Sequence, residues 1–168
     1  MGRSRDLADG SYIADGSIVQ ADLASGVVGT GPAFFASASG GSDQTIANAT
    51  FTKVTLANET FDTNSCYDNA TNYRFTPNVA GYYRVDARVY WQNSVTSSRV
   101  DIYKNGSSFH IRYDQGNYAN LMQECGIIMY MNGSSDYVEV YCLHNTGSNA
   151  IIWASKATFF QACLVRAA

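Results

Sequence analysis

Between Tyr82 and Trp91 the chain alternates at a strict period of two. Tyr83, Val85, Ala87, Val89 and Trp91 fall on one face, and Tyr82, Arg84, Asp86, Arg88 and Tyr90 on the other. This predicts a half-buried strand of an antiparallel sheet. Further short strands are predicted near 33–38, 51–56, 73–75, 98–104, 107–113, 122–131, 136–143, 150–154 and 157–166. Lys104-Asn105-Gly106-Ser107 and Asn132-Gly133-Ser134 place Asn-Gly between apolar runs, a strong hairpin signal. With no helical period in this region, the pattern predicts an all-β jelly-roll sandwich of about ten strands.

In a two-layer sandwich each strand presents one wet face. Val100 and Ile102 obey this, opposed by Arg99, Asp101 and Tyr103. Gly126-Ile127-Ile128-Met129-Tyr130-Met131 and Thr158-Phe159-Phe160-Gln161-Ala162-Cys163-Leu164-Val165 do not, being apolar on both faces. Burying one Phe or Ile stabilises by roughly 1.5–3 kcal/mol, so a second chain covering the outer face is expected. Tyr82, Tyr90, Phe159, Phe160 and Leu164 are the candidate trimer-interface residues, Tyr141 is a further outer aromatic, and edge strands covered within one chain are the alternative.

Residues 1–31 read differently. Ala8-Asp9-Gly10-Ser11 recurs as Ala14-Asp15-Gly16-Ser17, while Leu7, Ile13 and Val19 keep the same six-residue step. A looser echo follows at Ala21-Asp22-Leu23-Ala24-Ser25-Gly26. Such repeats cannot bury their own apolar residues, so Leu7, Ile13, Val19 and Leu23 are expected to pack against neighbouring copies or to dock on another protein. A flexible linker is the alternative. Gly29-Thr30-Gly31-Pro32 reads as the hinge between this N-terminal arm and a knob spanning 32–168.

The knob carries a family resemblance. Phe75, Gly81, Tyr83 and Val85 have a spacing that resembles the signature of the globular head of the first complement component, with Leu56, Asp62 and Tyr67 near its earlier positions. Leu56 and Val85 stand where that family usually has phenylalanine, and the Tyr67-to-Phe75 gap is one residue longer than its pattern. Pro32-Ala33-Phe34-Phe35-Ala36 resembles the opening strand, and Ala157-Thr158-Phe159-Phe160-Gln161-Ala162-Cys163-Leu164-Val165 the closing one. The resemblance spans residues 32–168 and implies a jelly-roll homotrimer related to tumour necrosis factor, some members of which hold calcium near the apex. The arm resembles segments that precede terminal knobs in bacteriophage tail fibres and related virion proteins.

Composition narrows the functions. Hydrophobic residues make up 46% of the 168 and charged residues 15%, as in a folded single domain. A net charge of −3 with dispersed Lys and Arg argues against a nucleic-acid partner. No apolar run reaches the roughly 20 residues of a membrane span, and Met1–Asp6 lacks the apolar core of a signal peptide. Cys66, Cys125, Cys142 and Cys163 lack metal-type spacing and read as small buried hydrophobes, a disulfide being the alternative.

Catalytic chemistry is sparse. His110 and His144 lie in no nucleophile or metal motif, and Glu59, Glu124 and Glu139 are too scattered for a glycosidase pair. The chain is expected not to be an enzyme and to need no cofactor. Asp62, Asn64, Asp68 and Asp114 are weak calcium candidates, since oxygen-rich loops are also ordinary turn chemistry. The five Asn-x-Ser/Thr sites, at Asn48, Asn58, Asn69, Asn105 and Asn132, read as chance. The expected function is a phage virion knob, a tail-fibre tip binding host glycan or protein. A capsid decoration, cement or head-fibre protein is the first alternative, and a secreted complement-like or necrosis-factor-like ligand the second. Thirty residues reach at most about 100 Å, so the arm is expected to dock directly onto another virion protein.

Overall fold

The computed structural model describes residues 31–168. The arm residues Leu7, Ile13, Val19 and Leu23 lie outside the described residues. Among those described, the secondary structure is all strand: β1 (Ala33–Ser37), β2 (Gln44–Ile46), β3 (Thr52–Lys53), β4 (Asn58–Asp62), β5 (Tyr67–Asp68), β6 (Arg74–Phe75) and β7 (Ala80–Tyr90). The second half adds β8 (Val95–Lys104), β9 (Ser107–Tyr118), β10 (Met122–Asn132), β11 (Val138–His144), β12 (Ala150–Ile152) and β13 (Phe159–Ala167). One sheet runs β10-β7-β13-β1-β4; the facing sheet runs β5-β6-β11-β8-β9, with β3 beside β11; β2 and β12 form a separate pair. Every pairing is antiparallel, and the architecture is a jelly roll.

The core lies between the two large sheets. Tyr83, Val85, Ala87, Val89 and Trp91 are fully buried, as the period-two pattern predicts, and they meet Val100, Ile102, Val138 and Val140 of the second sheet. Phe34 organises one end, with its ring 4.5 Å from Tyr67, 4.7 Å from Phe75 and 4.9 Å from Phe160. The buried tyrosines remain satisfied: Tyr67 donates to the Leu56 carbonyl (2.9 Å) and Tyr83 to that of Val79 (2.8 Å). Burial pushes both phenols far above their ordinary range.

Three expectations fail here. First, Asn132-Gly133 closes no hairpin. β10 and β11 belong to different sheets, and the turn crosses between them. The Asn132 side-chain oxygen accepts from the N–H groups of Ser134, Ser135 and Asp136, capping the crossing instead of tightening a two-residue loop. Asn105-Gly106 does form the β8–β9 hairpin, with φ of 51° and 79°. Second, Asp101 does not face water: it is fully buried, held by the Arg99 guanidinium at 2.6 and 2.5 Å and by the Ser108 hydroxyl at 2.9 Å. Third, β2, β4 and β5 were not legible as strands, because they are short or polar and take their order from neighbours.

Candidate functional site

The outward face of the five-stranded sheet is built by register. Along β7 the outward residues are Tyr82, Arg84, Asp86, Arg88 and Tyr90, and opposite them β10 places Tyr130, Ile128, Gly126, Glu124 and Met122. On the other flank β13 sets Cys163, Gln161 and Phe159 against Arg84, Asp86 and Arg88. Phe35 of β1 and Phe61 of β4 extend the same rows. Ile128, Tyr82, Tyr130 and Phe61 are about half exposed, at 54%, 47%, 44% and 48%. Apolar side chains from several strands thus share one open face.

Charge on this face is neutralised in place. Arg84 donates through Nε to Asp86 Oδ1 at 2.7 Å, with Nη2 at 2.5 Å from the same oxygen. The hydrogen bond it donates to Asp86 holds the Arg84 guanidinium above its usual range. Room for this pair comes from Gly126. A Cβ there would stand 2.2 Å from Asp86 Oδ1 and 2.8 Å from Arg84 Nη2. The missing side chain thus leaves the ion pair its place over β10. Arg88 covers the Phe159 ring at 4.7 Å and stands 3.8 Å from Glu124.

The facing sheet is organised differently on its outer side. Its central strands carry the Arg99–Asp101 and Lys53–Glu139 pairs and the Tyr103–Tyr141 contact (4.3 Å). Its most exposed apolar residues, Phe109, Ile111 and Tyr113, are confined to the edge strand β9.

The interface candidates divide. Tyr82, Tyr90 and Phe159 lie on the outward face, although Phe159 is nearly covered by Arg88 and by the Phe35 ring at 5.6 Å. Phe160 and Leu164 are corrected: both point inward. Phe160 pairs with Ala87 and is fully buried among Phe34 and Tyr67. Leu164 pairs with Tyr83 and fills the space left by Gly31 and Gly81. Phe159 and Phe160 are consecutive and therefore point to opposite faces, so this chain buries the inward Phe160 by itself, while Cys163 and Val165 of the same run stay exposed.

The calcium candidates do not converge. Asp62 accepts the N–H groups of Asn64 (3.2 Å) and Tyr67 (2.7 Å), and Asp68 accepts those of Ala70, Thr71 and Asn72. Asn64 is turned toward Asn78, and Asp114 stands on β9 with its oxygens on Arg112 and Gln123. Among the described residues no group of three or more His, Cys, Asp and Glu could hold a metal ion. The donors are spent on turns and ion pairs, so these residues do not fit a calcium site.

His144 is buried against Trp91 (5.5 Å). Its Nε2–H donates to the Ile46 carbonyl (2.9 Å), and Nδ1 lies 3.1 Å from the Thr146 hydroxyl. It joins β11 to β2 and is not available for chemistry at a surface. Cys66, Cys125 and Cys142 are buried thiols and Cys163 is exposed, all unbridged. Burial pushes the Cys125 thiol up to about 11.

No family model and no curated protein matches the chain. Solved structures resemble it in fold. Murine APRIL superposes with a TM-score of 0.60 at 9% identity, over 80% of this chain and 98% of that one. The globular domain of zebrafish complement 1qA gives 0.52 at 16% identity, over 82% and 99%. Eiger TNF from S. frugiperda gives 0.56 at 11% identity, over 82% and 95%. At these identities the likeness establishes the jelly roll of the tumour necrosis factor and complement type, and nothing finer.

Proposed function

We propose that this chain is a non-catalytic recognition knob that self-associates as a homotrimer and sits on the surface of a bacteriophage particle, attached through its N-terminal arm. The open apolar face of the five-stranded sheet carries the reading. Tyr82, Phe61, Ile128 and Tyr130 leave water only when covered, and the face's ion pairs are already neutral, so a different surface of a neighbouring copy in a closed three-fold ring covers it without stranding a charge. Three equivalent knobs would give avidity to weak contacts with a host glycan or surface protein. The small-acidic-aliphatic repeat before the knob supports a place on a tail fibre, and a capsid decoration or head-fibre role uses the same parts.

Light scattering on the intact protein and on a version starting at Gly31 tests the assembly. Three chains in both supports the knob as the oligomerising unit, three only with the arm moves that role to the arm, and one in both removes the reading. Gold-labelled antibody against the knob then separates locations: label on tail tips supports the fibre, label over the shell supports decoration, and particles without label withdraw the virion. A second reading, a secreted ligand, is favoured by the fold neighbours, whose names are those of complement and necrosis-factor proteins. Unlabelled particles would raise it to first place.

A further inference from the structure

Where the free edges of the two sheets meet, β9 and β10 diverge and leave a cleft of about 430 Å³, lined by Arg112, Asp114, Tyr118, Leu121, Met122, Gln123 and Glu124. This lies within the roughly 300–1,000 Å³ usual for small-molecule sites. Its polar groups are held from below. Gln123 is buried, accepts from Trp91 Nε1 (3.3 Å) and donates to Asp114 Oδ2 at 2.8 Å. Asp114 in turn receives Arg112 Nε at 3.0 Å and Nη2 at 2.6 Å. The Arg112 hydrogen bond keeps the Asp114 carboxyl below its usual range, and thus ionised. A chain from the core to the surface therefore fixes the guanidinium, whose Nη1 keeps its donors free among the described residues.

The aromatic wall is also built. β9 is irregular near its end, where the register shifts between Val95 and Ser97, and Gly116 adopts φ of +152°. A Cβ at Gly116 would stand 2.5 Å from the Tyr118 ring, so only glycine lets that ring lie back along the strand. Tyr118 and Met122 remain about half exposed, leaving an aromatic face and a thioether beside fixed donors and acceptors.

We propose that this cleft binds a terminal pyranose ring of a neutral, hydroxyl-rich glycan. The inference rests on the reading of the chain as a recognition knob and gives that knob its site. Arg112 and Arg88 balance Asp114 and Glu124, so the cleft offers no net charge to a phosphate or a carboxylate. It offers what a sugar needs: the Arg112 donors and the Glu124 acceptor for adjacent hydroxyls, and the Tyr118 ring for an apolar C–H face. An extended peptide would instead seek a regular strand edge, and the ladder is broken at this point.

Saturation-transfer NMR on the full chain, with D-glucose, D-galactose, D-mannose and N-acetyl-D-glucosamine each at millimolar concentration, tests this. The expected result is transfer to the ring protons of at least one sugar, with affinity falling at least tenfold in Tyr118→Ala and in Arg112→Gln and unchanged in Phe109→Ser. Circular dichroism on each variant confirms retained strand structure, and Tyr118→Phe, which keeps the ring, should restore binding. Silence with all four sugars overturns the proposal, as do equal affinities in the Tyr118→Ala and parent chains, or tighter binding of N-acetylneuraminate when it is run alongside as a fifth, anionic sugar. The two readings fail separately. A monomer that still receives the sugar removes the assembly and keeps the cleft; a trimer with no sugar signal does the reverse.

Discussion

The two faces of the five-stranded sheet are made by the same strands, yet one is closed within the chain and the other stays open. Inward, Tyr83, Val85, Ala87, Val89 and Trp91 meet a second sheet and lose all contact with water. Outward, Tyr82, Ile128, Tyr130 and Phe61 have hydrophobic bulk and half their surface still exposed. The inward stripe is apolar throughout, whereas the outward face mixes apolar side chains with Arg84, Asp86, Arg88 and Glu124, and this chain supplies a cover only for the first. Alternation therefore tells which residues share a face and, on β7, which face is buried; only the partner layer tells how much of the other face stays wet.

The largest effect expected comes from consecutive residues on opposite faces. Phe160→Ala should cost about 3–5 kcal/mol in urea unfolding, because it opens a cavity beside Phe34 and Tyr67. Phe159→Ala removes a ring packed under Arg88 and Phe35 and should cost clearly less. Equal losses would mean that the outward face is as closed as the inward one. Next in size, Ile128→Asp combined with Tyr82→Asp should leave the circular dichroism spectrum intact while light scattering falls to the mass of one chain. A persisting trimer would take these residues out of the interface.

A smaller effect is expected from Gly126→Ala, about 1–3 kcal/mol, since its Cβ must displace the Asp86–Arg84 pair. If thermal unfolding of this variant matches the parent, the pair does not depend on that slot. The smallest concerns acid. Backbone hydrogen bonds from Thr71 and Ala70, together with those from Asn72, lower the Asp68 pKa from 3.8 to about 2. A depressed carboxylate stabilises fully above its unfolded pKa, and this stabilisation fades as pH falls through the folded one. Asp68→Asn should therefore flatten the stability change between about pH 4 and 2, by well under 1 kcal/mol on this exposed turn. An unaltered acid slope would show that the turn contributes nothing measurable.

Much of the knob was legible because its signals are local. The β7 alternation, the Asn105-Gly106 hairpin and the opening and closing strands each depend on residues close in sequence. Phe160 and Leu164 depart from the interface expectation because this chain itself receives them: Phe160 packs in the core between the sheets, and Leu164 lies against Gly31 and Gly81. Asn132-Gly133 carries hairpin chemistry, yet its flanking strands join different sheets, and no local feature encodes that choice. The cleft was invisible for the same reason. Arg112 and Asp114 pair along β9, but Gln123 reaches Asp114 only because β9 and β10 come side by side from separate sheets.

By itself the sequence determined the strand class and the buried stripe of β7, since period and turn chemistry act over a few residues. The tertiary structure alone decided that Asp101 is buried, that Gly126 makes room for an ion pair and that Gln123 holds Asp114 beneath Arg112. Each of these depends on residues that pack or pair across strands, and on whether the neighbouring layer leaves space, a partner or water.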